Sequence, residues 1–154
     1  MVQNPTGLVD FGGKGKYNSP EFVWLNTTGP TAIKFLNSDK LGKQYQNDMF
    51  VADYHGGNIY HFKLNQNRTG LVLNGTLADK VANNAQELED IKFVVGMGAI
   101  TDLQVSPYDG YLYAVSFSGG KIYRILPATA AADGGGSSGS GSSSTNTGNS
   151  TQTP

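Results

Sequence analysis

Few side chains in this 154-residue sequence have chemistry to offer. Without any cysteine, thiolate metal sites, disulfides and cysteine nucleophiles are excluded, and only oxygen and imidazole ligands remain. The two histidines, His55 and His61, share one segment with Asp53 close by in sequence. A metal site asks for a further imidazole or carboxylate at fixed spacing, so His55 reads first as a loop histidine. Asp48, Asp53, Asp102 and Asp109 are candidate calcium oxygens, yet no Asp-x-Asn-x-Asn-Gly loop surrounds them, and Asp109-Gly110 is accounted for by a turn. The run Gly12-Gly13-Lys14-Gly15-Lys16 lacks the Lys-Ser/Thr pair and the following helix of a phosphate loop, and reads as a flexible connection. The foldable part contains no Gly-x-Ser-x-Gly elbow on which to build a hydrolase.

Elements that position these residues follow from composition and repetition. Charged residues make up only 15 %, with 21 Gly, 8 Tyr and 7 Phe, which is the profile of turn-rich β structure. A net charge of -1 supplies no basic field for a phosphate backbone, so nucleic acid is not an expected partner. No window approaches the length of an apolar membrane span, and Met1–Pro5 lacks the basic and apolar regions of a signal peptide. Four Asn-x-Ser/Thr sequons, at Asn26, Asn67, Asn74 and Asn149, lean towards an extracytoplasmic or cell-surface location.

Three regions result. Residues 1–16 read as a flexible N-terminal segment, 17–127 as the folded β region, and 128–154 as a low-complexity linker or stalk. In that tail Gly, Ser, Thr and Asn dominate, and the chain cannot bury enough apolar surface to offset its entropy, so disorder is expected there.

A repeat emerges when the chain is shifted by 63 residues: Phe50–Phe62 lies over Tyr113–Ile125, keeping aromatic, Gly-Gly and Ile-Tyr positions. Each copy reads as two strands joined at Gly-Gly, where glycine supplies the positive φ of a tight turn. A third strand precedes each, Thr31–Leu36 and Thr101–Val105, matching at a shift of 70. The longer first connection, Asn37–Asn47, reads as a surface excursion. Residues Asp79–Asp90 read as either a short helix or a loop. The fourth strand of the first copy falls on Leu71–Leu73 or on Ile91–Val95. Small sheets of this kind, apolar on both faces, follow the logic of propeller blades. The expected fold is therefore all-β, about two blades of a partial six-bladed β-propeller, with bare ends that favour self-association or the remaining blades as partners. Leu8–Phe11 or Glu21–Trp24 could instead complete the second sheet from within the chain.

The order of Phe22-Val23-Trp24, Thr27–Ala32, Asn47–Ala52, Gly57–Leu64, Ile100–Leu103 and Asp109–Tyr113 resembles the C-terminal portion of the glucose/sorbosone dehydrogenase family, the soluble quinoprotein sugar dehydrogenases, and is nearest to their archaeal relatives. The resemblance covers about residues 17–127. It implies a six-bladed propeller that binds pyrroloquinoline quinone (PQQ) and calcium and oxidises aldoses by hydride transfer. It also implies Trp24, Thr27 and His55 as cofactor-binding positions, with His55 where the family has a lysine. Ala99 and Thr101 stand where the family has arginines, and only Asp102 of that motif is kept. The family's general base and calcium ligands belong to blades that precede this segment. The expectation is thus a fragment of a sugar dehydrogenase-like propeller that lacks catalysis as this chain. The competing expectation is a secreted or cell-surface binding or structural β module, with exposed aromatics such as Trp24 and Tyr54 stacking on sugars.

Overall fold

The structure, a computed structural model, describes residues 14–15 and 18–128. The expectations of a flexible 1–16 segment and a disordered tail therefore fall almost wholly outside the described residues, as does most of the glycine run near Lys14. The strands in chain order are β1 (Val23–Trp24), β2 (Pro30–Phe35), β3 (Met49–Asp53), β4 (Ile59–Phe62), β5 (Val81–Ala82), β6 (Lys92–Val94), β7 (Ile100–Val105), β8 (Leu112–Ser116) and β9 (Lys121–Arg124). Short 3-10 turns occur at Lys43–Tyr45, Gly75–Asp79 and Glu89–Ile91, and the described residues contain no α-helix. None of their helical turns is long and apolar enough to cross a membrane.

Both repeats fold as read. β2, β3 and β4 pair antiparallel, and so do β7, β8 and β9. Gly57 and Gly120, the second glycine of each Gly-Gly pair, take φ of 61° and 56°, the left-handed conformation that a tight connection demands and that a side chain resists. In each sheet the register shifts next to the start of its first strand, between Pro30 and Ala32 and between Ile100 and Asp102.

Period-two alternation assigns each sheet face a partner. On β3, Phe50 and Ala52 point towards the second sheet and meet Ile59, Ile100, Leu103, Leu112 and Ala114 in one core. Val51, on the opposite face, joins Tyr60, Phe62, Leu77, Ala82 and Ile91 in a second core under a cap. The four-stranded sheet is consequently buried on both faces. Fully burying each such large side chain contributes about 1.5–3 kcal/mol, so these two clusters are the main source of cohesion.

Polar contacts pin the sheets together along their first strands. Thr31 Oγ1 donates to Ile100 O at 2.7 Å, and Lys34 Nζ donates to Gln104 Oε1 at 2.7 Å. Farther along, Ser38 Oγ donates to Gly110 O.

Several expectations need correction. Asp79–Asp90 forms neither an α-helix nor a plain loop: Val81–Ala82 is a strand, followed by turns, because Asn83 and Asn84 hold Glu87 locally instead of continuing a helix. The fourth strand of the first sheet is Lys92–Val94, within the second of the two stretches offered, whereas Leu71 contributes only an isolated bridge to Leu64. Glu21–Trp24 does not serve the second sheet, since Val23 and Trp24 pair parallel with Val81 and Ala82 over the cap core. The excursion Asn37–Asn47 is not wholly superficial either: Leu41 is buried and Tyr45 packs between Phe50, His61 and Phe93. The architecture is all-β, in sheets of four, three and two strands, with no closed barrel among the described residues.

The β7–β8 turn is organised by Asp109. Its carboxylate accepts from Tyr113 Oη at 2.7 Å and from the Tyr111 N–H at 3.1 Å. The Tyr113 hydroxyl is the main cause that holds the Asp109 carboxyl below its ordinary range; Ser106, the Tyr111 N–H and Arg124 add to it, while burial opposes. A depressed carboxyl contributes stability that is present above its ordinary pKa and lost as pH falls through the lowered value. Tyr113, raised chiefly by the same bond, loses its contribution as pH climbs through its raised value. Replacing Tyr113→Phe is expected to move the Asp109 titration upward towards the usual carboxylate range, read from its carboxyl carbon by NMR.

Candidate functional site

The Gly-Gly turns of both sheets lie at the same end of the molecule, and Asp53 organises it. Asp53 is 2 % exposed, at the last position of β3. Its Oδ1 accepts from the Gly29 N–H at 3.1 Å and the His55 N–H at 2.9 Å, and its Oδ2 from the Gly56 N–H at 2.9 Å. A carboxylate surrounded by main-chain donors is held strongly and fixes the loop around it. In the second repeat Ser116 stands at the same position, also buried. Its hydroxyl donates to Met97 O at 2.6 Å and accepts from the Gly119 N–H at 3.2 Å. The turns thus share one device, a buried polar side chain that satisfies the amide of the first turn glycine.

What the turns carry is aromatic. Tyr54 and Phe117, equivalent under the 63-residue shift, lie with ring centroids 6.4 Å apart and planes tilted by 33°. Both are exposed, Phe117 by 69 %. His55 sits edge-on to Tyr54 with centroids 5.9 Å apart, so the two repeats converge on a small exposed aromatic platform. Sequence reading singled out Tyr54 and passed over Phe117, although the repeat alignment that places Phe117 on Tyr54 carried the signal.

The other expected residues are scattered. Trp24 lies over Tyr60, Phe62 and Phe22 in the cap core, with centroids 4.8–6.2 Å apart, and its Nε1 is buried without a hydrogen-bond partner among the described residues. Half-buried, it packs against the cap core with part of its surface. Thr27 is exposed on the β1–β2 connection, and Thr101 Oγ1 reaches Val115 O at 3.4 Å. The Ala99 N–H donates to Ser118 Oγ at 2.8 Å.

The candidate calcium carboxylates are separated by their own commitments. Asp48, at the far end of β3, lies 2.9 Å from His61 Nε2 and accepts from the Leu64 N–H. Asp102 accepts from the Leu103 N–H and from Gln104, and Asp109 serves its turn. No three His, Asp or Glu side chains gather around a common point among the described residues. Two cavities lie at this far end. One, of about 390 Å³, is polar and includes Lys43, Lys63, Arg68 and Asp48 in its lining. The other, of about 450 Å³, lies between β6 and the chain that follows β9, with Leu41, Tyr45, Phe93, Ile125 and Leu126 in its wall.

Comparison of the chain with family models, curated proteins and solved structures finds no match. The fit of the implied cofactor therefore rests on the residues themselves. The quinone carries three carboxylates, and holding them in a partly dry site needs fixed cations. Ala99 and Thr101 offer none, His55 is an exposed turn residue, and Trp24 carries no charge and packs against the cap core. The residues at these positions do not fit the quinone.

Proposed function

We propose that this chain is two blades of a sugar dehydrogenase-like β-propeller that act in sugar binding and not in turnover. The observation that carries the reading is the exposed pair Tyr54 and Phe117, brought together from equivalent turns. Such rings present flat apolar faces of the kind that stack on the C–H face of a pyranose, each contact contributing about 0.5–1.5 kcal/mol. His55 and Ser118, in the same turns, offer hydrogen-bonding groups for hydroxyls. Support for the propeller comes from consecutive antiparallel sheets that pack face to face with their first strands, β2 and β7, as neighbours. The sequons at Asn26, Asn67 and Asn74 occupy exposed positions, in keeping with an extracytoplasmic setting.

Screening the folded chain on a glycan array, followed by NMR titration with the sugars retained, tests this reading. Shifts are expected at Tyr54, His55 and Phe117, and Tyr54→Ala is expected to weaken binding by about two- to tenfold, the loss in affinity that one stacking contact of that size corresponds to. A folded chain that retains no sugar would overturn it. The second reading, a catalytic remnant, makes the opposite demand: with added PQQ and calcium the chain would reduce a dye in the presence of aldoses. No turnover is expected, given the alanine and threonine at positions 99 and 101.

A further inference from the structure

The end of the molecule opposite the Gly-Gly turns holds positive charge that the fold does not use. Lys80, Lys92 and Arg124 each have a carboxylate partner. Lys43, Lys63 and Arg68 have none among the described residues, although acidic residues outnumber basic ones in the sequence by 12 to 11. All three line the polar cavity of about 390 Å³. Asp48 is the one acidic residue in its wall, and both carboxylate oxygens are engaged: Oδ2 lies 2.9 Å from His61 Nε2, and Oδ1 accepts from the Leu64 N–H at 3.0 Å. Three cations against one carboxylate leave the wall with an excess of positive charge, which favours an anion.

The cavity lies between two loops that are held from within. In the loop before β3, the Asn47 N–H donates to Leu36 O at 2.6 Å. In the hairpin after β4, the Arg68 N–H donates to Asn65 O at 2.9 Å, and the Thr69 N–H to Asn65 Oδ1 at 2.9 Å. Backbone strain marks the same place: Asn47 and Arg68, with φ of 69° and 56°, are two of the three non-glycine residues in the left-handed region among the described residues. Asparagine tolerates that region, whereas arginine enters it at a cost in stability. What the cost secures is the position of a guanidinium. It lies over the Phe35 ring, 5.4 Å from the centroid, and its Nη1 donates to Asn47 Oδ1 at 3.4 Å. Strain of this kind persists where neighbours over-determine it, and it concentrates at binding sites.

We propose that this cavity binds an acidic saccharide, a sugar ring that carries a sulfate ester or a carboxylate. Its volume falls within the range of about 300–1,000 Å³ found for small-molecule pockets, more than a bare oxyanion fills. All of its lining residues except Leu64 are polar or charged, so the body of the ligand is polar as well. Lys43, Lys63 and Arg68 hold the oxyanion, with the planar guanidinium able to meet two oxygens at once. The amides of Gln44, Gln46 and Gln66 offer donors and acceptors for ring hydroxyls. Methylene stems of the lysines and glutamines supply apolar surface for the C–H groups between them. The site is separate from the aromatic platform at the turn end and stands whether or not that platform binds sugar.

Titration of the full chain with glucose 6-sulfate and with glucuronate at low ionic strength, followed by NMR, tests the site. Binding of at least one is expected, with shifts at the Lys63 and Arg68 side chains and at the Gln44 and Gln66 amides, and the tighter of the two names the oxyanion. Glucose and inorganic sulfate, at matched ionic strength, are expected to bind at least about tenfold more weakly, since each makes only part of the contacts. Lys63→Gln is expected to weaken binding about fivefold, the upper range for an exposed charge contact. Arg68→Asn is expected to do the same in a chain that still unfolds cooperatively, because asparagine suits the left-handed backbone that arginine resists. Lys121→Gln, on β9, is expected to change nothing, and added salt to weaken binding throughout. No shift with either sugar, inorganic sulfate bound as tightly as glucose 6-sulfate, affinity that survives both Lys63→Gln and Arg68→Asn, or shifts confined to Tyr54 and Phe117 would each overturn the proposal. The last result would assign the ligand to the platform.

Discussion

Replacing Asp53→Ala is expected to destabilise the fold by about 3–4 kcal/mol, measured as a lower denaturant midpoint with little change in slope. The carboxylate meets three main-chain donors, at Gly29, His55 and Gly56. Hydrogen bonds to a charged acceptor contribute about 1.5–3 kcal/mol each, and donors left unsatisfied in a buried site cost more than the bonds they lose. The full sum is not reached, because His55 and Gly56 are exposed enough for water to replace part of what is lost. Asp53→Asn separates the acceptor role from mere volume. It keeps an oxygen for Gly29 and His55 and sets an amide against the Gly56 N–H, so about half the loss is expected. The change is also expected to disperse the platform, with Tyr54 and His55 resonances moving more than those of Phe117, since the second turn hangs on Ser116 instead.

How far the sequence discloses this architecture depends on whether the information is local. The hairpins are legible because a repeat of aromatics around Gly-Gly specifies register and turn together, and Gly57 and Gly120 adopt the conformation that their type predicts. The cap is not legible: Val23–Trp24 and Val81–Ala82 are two-residue strands joined in parallel over a long sequence separation. No periodicity survives in so short an element, and only the tertiary packing of Trp24 against the cap core and the burial of Ala82 make sense of it. Asp79–Asp90 misleads for a related reason. Val81, Leu88 and Ile91 fit a helix face, yet Val81 lies half-exposed in β5 while Leu88 and Ile91 are buried at a separate short turn. At the turn end, Asp53 invited a metal-ligand reading because its type suits one, and its real partners are amides that no sequence pattern announces. Phe117 could have been found, since the repeat that revealed the hairpins also aligns it with Tyr54.

The sharpest contrast between the repeats is expected at their equivalent turn glycines. Gly57→Ala places a methyl 2.7 Å from both the nitrogen and the oxygen of Gly98, which are main-chain atoms and cannot swing aside as a side chain would. The same turn is tied by the Met97 N–H donating to Gly57 O at 3.0 Å, so relief requires the sheets to separate at this end. To that is added the left-handed strain of an alanine at φ 61°, about 1–2 kcal/mol. The expected loss is about 3–4 kcal/mol, close to the largest that single substitutions produce. Gly120→Ala carries the same strain at φ 56° but meets nothing within 4 Å among the described residues, so only about 1–2 kcal/mol is expected. Thermal or denaturant unfolding of the two variants side by side measures the difference, and equal losses would mean that contact with Gly98 contributes nothing. The asymmetry has a structural source: the first turn abuts the segment leading into the next sheet, and the second has no such neighbour among the described residues. Within a longer propeller the neighbouring blade would supply the backbone that Gly98 supplies here, and Gly120→Ala would then become as costly as Gly57→Ala. The paired substitution thereby reports whether the second turn has a neighbour.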